Sequence, residues 1–136
     1  VGDACAVLIR SASGLNKISQ TLNGLRPGEL YSVKYIVADL DDLSLAEDAG
    51  VYATLNSVTV LNDKSFRFVI PSSYALNFEG FNRENRAYTT YCQVVFRAES
   101  ATAELSFSDW KEGVPAGPVG KRLALNFVEV MPYYGE

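Results

Sequence analysis

Between Ile18 and Val37 the chain reads Ile-Ser-Gln-Thr-Leu-Asn-Gly-Leu-Arg-Pro-Gly-Glu-Leu-Tyr-Ser-Val-Lys-Tyr-Ile-Val, and no other stretch narrows the fold as much. Ile18, Gln20 and Leu22 fall on one face of a strand, and Tyr31, Val33, Tyr35 and Val37 on one face of a second. Leu25-Arg26-Pro27-Gly28-Glu29 separates them. Proline sets φ near −65° at the second position of a tight turn, and glycine accepts the positive φ that a type II turn needs at the third. The stretch predicts strand, turn, strand, a hairpin-like pair to which the other strands are added.

The other segments are also short and strand-like. Ala4 to Arg10 is apolar on both faces, which predicts a strand between two neighbours. Val51 to Val60 has strand character, with Val51, Ala53 and Leu55 alternating with Tyr52, Thr54 and Asn56, and predicts one strand; Ser65 to Ile70 predicts a short one stopped by Pro71. Tyr88 to Ala98 turns at residues 99–102 into Ala103, Leu105 and Phe107, a pair that mirrors the first. Lys121 to Val130 closes the chain, and its alternation slips near Phe127, which predicts a bulge. About eight strands without a convincing amphipathic helix predict an all-β antiparallel sandwich, with a jelly roll as first choice and the first and last strands close together.

At 136 residues the chain is one domain, residues 1–136, able to bury roughly 65–70% of its unfolded surface. Val1-Gly2-Asp3 begins neither a signal peptide nor an initiator methionine, so the chain reads as a segment of a longer polypeptide. The net charge of −4, with scattered lysines and arginines, argues against nucleic acid and against an anionic membrane surface. A monomer is expected.

The chain has no histidine, which removes the commonest general base, the serine triad and every histidine metal site. Gly120-Lys121-Arg122 ends a glycine- and proline-rich loop that only brushes the phosphate-loop pattern, and reads as a flexible connection. Asp109 and Glu112 beside Trp110, or the acids of residues 39–48, are the carboxylates available for catalysis. Solvated acidic loops account for them better, and the expectation is no enzyme. Hard cations take clustered oxygens. Asp39, Asp41 and Asp42 make one candidate calcium site; Asp3 with Asn126 or Glu129 makes another if the first and last strands are neighbours. Cys5 and Cys92 form a disulfide if their strands lie side by side, and are otherwise two small buried apolar residues.

From Pro71 to Arg86 strand periodicity is lost, and residues 74–91 mix aromatic with polar side chains. Loops of this length inside a compact domain are usually functional. Sugar rings offer a flat face of C–H groups to aromatic rings and a rim of hydroxyls to Arg, Asn and Glu. Phe78, Phe81, Tyr88 and Tyr91 with Asn82, Arg83, Asn85 and Arg86 supply both chemistries, while core plugging by Phe78 and Phe81 is the competing use. Trp110 stands at a strand end, suited to rim packing or to a binding platform.

The segments at residues 4–10, 18–33, 94–110 and 125–130, in that order, resemble the galactose-binding-like jelly-roll domains, including carbohydrate-binding modules of secreted bacterial polysaccharide-degrading enzymes. The resemblance implies an extracellular or cell-surface accessory module beside a neighbouring catalytic domain, binding a polysaccharide or oligosaccharide, with a structural calcium frequent. The chain departs from that pattern in having no exposed tryptophan pair and in carrying Asn126 where the final strand often has an acid. The expected function is a noncatalytic glycan-binding module; the alternative is a structural domain that packs on its catalytic neighbour.

Overall fold

The computed structural model describes residues 6–42, 47–71 and 88–134. Its strands are β1 (Ala6–Ile9), β2 (Lys17–Leu22), β3 (Leu30–Asp39), β4 (Tyr52–Leu55), β5 (Val58–Val60), β6 (Phe66–Pro71), β7 (Tyr88–Ala98), β8 (Ala103–Ser108), β9 (Trp110–Lys111), β10 (Val114–Pro115) and β11 (Arg122–Pro132). Six of them form one sheet in the order β1-β11-β3-β7, with β5 and β6 sharing the far edge of β7; β2-β8-β4 form a second sheet, and β9-β10 a small hairpin. Every pairing among them is antiparallel.

The two larger sheets bury one shared cluster, as expected of a sandwich. Alternation places Val33, Tyr35, Val37, Cys92 and Phe96 of the six-stranded sheet in it with Ala103, Leu105 and Phe107 of the three-stranded sheet. The Tyr35 and Phe107 rings meet edge to face at 4.9 Å, joining the sheets at the centre.

The organising stretch has the expected turn but a different partnership. Gly28 has φ +92, and the Glu29 N–H donates to the Arg26 carbonyl at 3.0 Å. Yet β2 pairs with β8 and β3 with β7 and β11, so residues 25–29 make a corner between sheets and not a hairpin. The cause is Leu25, which is buried with Leu22 in the core cluster, where the tip of a hairpin would leave it in water. The β7–β8 connection makes the same corner. The two corners are bonded together, Leu25 N–H to Ala101 O at 2.9 Å and Gly28 N–H to Ala98 O at 2.8 Å. The mirror relation between the two sequence pairs is a stack of two arches.

Two further expectations are corrected. Residues 51–60 are not one strand: β4 belongs to the three-stranded sheet and β5 to the six-stranded one, with the crossing at Ser57, whose φ is +58. The first strand is not interior either. Among the described residues β1 pairs only with β11, and its outward Val7 and Ile9 remain 51% and 58% exposed. The expected neighbourhood of first and last strands is present in that same pairing. The bulge is present too. Register shifts between Asn126 and Glu129, Phe127 has φ +54, and Asn126 Oδ1 accepts the Phe127 N–H at 2.8 Å.

Arg10 closes one end of the sheets. It is 2% exposed and donates to four carbonyls: Nε to Asp109, Nη1 to Pro118, and Nη2 to Ala49 and Gly50, at 2.8–3.3 Å. Burial lowers its pKa from the ordinary guanidinium value, with Asp109 pulling the other way. The glycine- and proline-rich loop is therefore tied down, where a flexible connection was expected. Space explains two glycines around the guanidinium. A Cβ on Gly50 would lie 2.5 Å from Arg10 Nη2 and 2.7 Å from Ala116 O, and one on Gly117 would lie 2.6 Å from Arg10 Nη1.

Gly28 and Gly50 both have positive φ, but nothing lies within 4 Å of a Cβ on Gly28. In urea unfolding, Gly28→Ala is expected to cost about 1 kcal/mol, from the left-handed φ alone, and Gly50→Ala about 2–4 kcal/mol, because a clash is added. Equal costs would contradict the Arg10 clamp.

Candidate functional site

Several residues singled out in the sequence lie outside the described residues: Asp3, Cys5, Phe78, Phe81, Asn82, Arg83, Asn85 and Arg86. Tyr88 begins β7 opposite Pro71, and Tyr91 stands opposite Phe68 on the face turned away from the core. Trp110 is elsewhere, in the β9–β10 hairpin, with its indole N–H donated to Ser11 O at 3.0 Å. It holds down a turn and is not brought together with Tyr88 and Tyr91.

The acids are engaged with the protein itself. Asp109 is fully buried and accepts the Asn16 backbone N–H at 2.9 Å and its Nδ2 at 2.7 Å. Asp39 pairs with Lys121 and Asp41 with Arg122. Asn126 and Glu129 flank the β11 bulge. Among the described residues no three metal-ligating side chains gather. Cys92 is a free thiol with no exposure. The side-by-side placement on which a bridge to Cys5 depended is not the topology observed, since β11 and β3 stand between β1 and β7.

The site that the structure adds lies at the edge of β7. There β5 pairs with residues 96–98 and β6 with residues 88–93, so Val95 has no strand partner on that side. A 3₁₀ turn, Asn62–Lys64, bridges the break. Ser65 Oγ accepts the Val95 N–H at 3.0 Å, and the Leu61 N–H donates to Val95 O at 2.8 Å, which replaces the missing ladder. Beside this turn a cavity of about 340 Å³ opens, lined among others by Tyr35, Tyr52, Asn62, Phe66, Arg67 and Gln93.

Arg67 organises the cavity. Alternation along β6 turns it inward, opposite Cys92. Its Nε and Nη2 grip the two oxygens of Asp48, while Nη1 donates to the Tyr35 hydroxyl at 3.1 Å and to Val51 O at 2.9 Å. Its guanidinium lies 4.0 Å from the centre of the Tyr52 ring, and Lys111 Nζ lies 4.5 Å from the same centre. Burial would raise the Asp48 carboxyl, but the bonds from Arg67 and the Gly50 N–H outweigh it and hold the pKa below the usual carboxylate value. Arg67 is raised in turn: burial would lower it, but the bond to Asp48 together with the neighbouring Cys92, Tyr35 and Asp48 outweighs burial. The pair is ionised across the ordinary pH range.

The opposite face of β6 carries rings. Phe66 and Phe68 stack at 4.8 Å and 24°, and Phe66 meets Tyr91 at 5.8 Å. Phe68 is 55% exposed. Phe66 joins this aromatic rank to the cavity, so a ligand here meets flat apolar faces beside amides and a hydroxyl. Sequence reasoning missed Phe66, Arg67 and Phe68. The available signal was Phe-Arg-Phe in a short strand, two rings on one face with a cation between them on the other.

Comparison with known proteins adds no relative: no family model, no curated protein and no solved structure matches the chain.

Burial pushes the Cys92 thiol up to about 11 and raises the Tyr35 hydroxyl well above its ordinary value. Both groups stay protonated in the folded chain at pH values where the unfolded chain has begun to lose the proton. Their contribution is therefore complete below pH 9 and falls as pH rises from about 9 to 11, with a slope of at most about 1.4 kcal/mol per pH unit for Cys92. Urea unfolding at pH 8, 9, 10 and 11 should show this decline, and Cys92→Ala should flatten its first part. A Cys92→Ala profile parallel to the original would contradict the burial of this thiol.

Proposed function

We propose that this chain is a noncatalytic carbohydrate-binding module with a jelly-roll topology of the galactose-binding-like kind, holding a parent polysaccharide-degrading enzyme on its substrate outside the cell. The observation that carries the reading is the aromatic rank. Phe68 leaves more than half of its surface in water on a sheet face, stacked on Phe66 and with Tyr91 beside it. Large apolar side chains grouped on a surface mark interaction sites, and rings beside the amides of Asn62 and Gln93 on the cavity lining suit the two faces of a sugar. The topology is supported by the β1–β11 pairing of the chain's first and last described strands and by the arches that carry the chain between sheets. Weak single-site binding is sufficient, since tethering raises the effective concentration of the enzyme at a polymer.

A specific observation favours a second reading. Val7 and Ile9 project from edge strand β1 and are more than half exposed, as expected where a structural domain packs on a catalytic neighbour.

Native-gel retardation against a panel of plant, algal and host polysaccharides separates the two. Phe68→Ala and Tyr91→Ala are each expected to weaken retardation about tenfold, a loss of about 1.4 kcal/mol, while Val7→Ser with Ile9→Ser leaves it unchanged. Retardation indifferent to Phe68→Ala and Tyr91→Ala, or absent for every polymer, favours the structural reading.

A further inference from the structure

We infer that Asn23-Gly24 is a site of spontaneous covalent modification, at which the Asn23 amide is lost and the backbone of the first arch is rerouted through its side chain. The step needs no enzyme and no cofactor. The Gly24 backbone nitrogen attacks Asn23 Cγ, and the new N–Cγ bond closes a five-membered imide. The proton given up by that nitrogen returns to the side-chain nitrogen, which leaves as ammonia. Water then adds to one of the two imide carbonyls and breaks its C–N bond, leaving aspartate or isoaspartate at position 23. One water is consumed and one ammonia released, with no change of oxidation state.

The attack requires an unhindered nitrogen after the asparagine, an untied side-chain amide and room to close the ring. Asn23-Gly24 is the only Asn-Gly pair in the chain, and glycine has no β-carbon to crowd its own nitrogen. Both residues are exposed, and nothing lies within 4 Å of where a Cβ on Gly24 would stand. No hydrogen bond among the described residues engages the Asn23 side chain. The other described asparagines lack one requirement or another. Asn16 Nδ2 donates to Ile9 O at 2.6 Å and to Asp109 at 2.7 Å, and Asn56 Oδ1 accepts the Glu104 N–H at 2.7 Å. Asn126 Oδ1 accepts the Phe127 N–H at 2.8 Å, which ties up the very nitrogen that would attack. Asn62 is followed by Asp63, whose side chain crowds the nitrogen.

The position of the pair gives the modification a consequence. Leu22 and Leu25 on either side of it are anchored in the core cluster, and the Leu25 N–H to Ala101 O bond is one of the two that join the arches. Isoaspartate inserts one extra backbone carbon between these anchored residues. The arch has to take up the added length, which loosens its bond to the second arch. Either product also adds a negative charge to a chain that carries −4.

The test is warm incubation of the whole folded chain at pH 9, beside a second sample unfolded in urea. Ion exchange follows the added negative charge, peptide mass mapping places it, and labelling with an isoaspartyl methyltransferase counts isoaspartate. The expected result is an acidic species that accumulates in the folded sample, with the amide lost at Asn23, isoaspartate the larger product, and the species absent from Asn23→Gln. Once purified, that species should unfold at a lower urea concentration than the parent chain with the same slope. Loss of the Asn23 amide in urea but not in the folded chain, or earlier loss at another asparagine of the folded chain, overturns the inference. An Asn23 amide intact in both samples overturns it as well, and an unshifted urea midpoint overturns the consequence for the arch.

Discussion

Among the described residues a three-stranded sheet faces one that is five strands across, β5 and β6 sharing an edge, and much of this molecule follows from that mismatch. Strands lie about 4.8 Å apart, so the β2-β8-β4 sheet is too narrow to cover the wider sheet from margin to margin. At one margin Val130 remains 36% exposed, although its register partner Val33 is buried. At the other, the inward position on β6 is filled by Arg67, whose long stem reaches across and whose head is neutralised by Asp48. An apolar side chain there would face water. An arginine bonded to Asp48, Tyr35 and Val51 ties β6, β3 and the approach to β4 together, and the cavity remains beside it.

The closed end uses a different device. Arg10 brings a charge inside and meets four carbonyl oxygens and, among the described residues, no carboxylate in direct contact. The carboxylate of Asp109 is turned instead to Asn16. Taking charges out of water is expensive unless every lone pair and proton is engaged. The arrangement accordingly fixes three separate segments, around Ala49, Asp109 and Pro118. The end is rigidly specified, whereas on the cavity edge the Asn62 side-chain amide has no hydrogen bond among the described residues, and this contrast directs the functional reading to β6 and β7.

The parts legible in the sequence are local. Pro27-Gly28 announces its turn because φ is set by those two residues, and the slip at Phe127 announces a bulge because alternation has period two. Which sheet a strand joins is invisible to that same periodicity. In residues 51–60 the apolar positions shift from Val51, Ala53 and Leu55 to Val58 and Val60 across Ser57, where the chain moves from one sheet to the other; the slip marks a break without naming the sheet on either side, and Ile18 and Tyr35 likewise alternate within strands of different sheets. Apolar residues on both faces of β1 suggested an interior strand, but an edge strand with an exposed apolar face reads identically. The cavity is less legible still. It exists because β5 and β6 stop short of each other along β7, opposite β4, and those contacts join residues far apart in sequence. Of the residues first considered for the site, Tyr91 falls within the aromatic rank, Trp110 serves the β9–β10 hairpin, and the rank is completed by Phe66 and Phe68, which had looked like ordinary strand residues.

The most direct test of this account is a map of amide chemical shifts in the isotopically labelled chain during titration with oligosaccharides cut from a retarding polymer. The account predicts that saturating shifts concentrate in residues 62–70 and 89–95, around the 3₁₀ turn, β6 and the facing part of β7, with β1 and β2 unmoved. Shifts concentrated on Val7, Ile9 and the β11 edge would place the interaction on the opposite margin and contradict it.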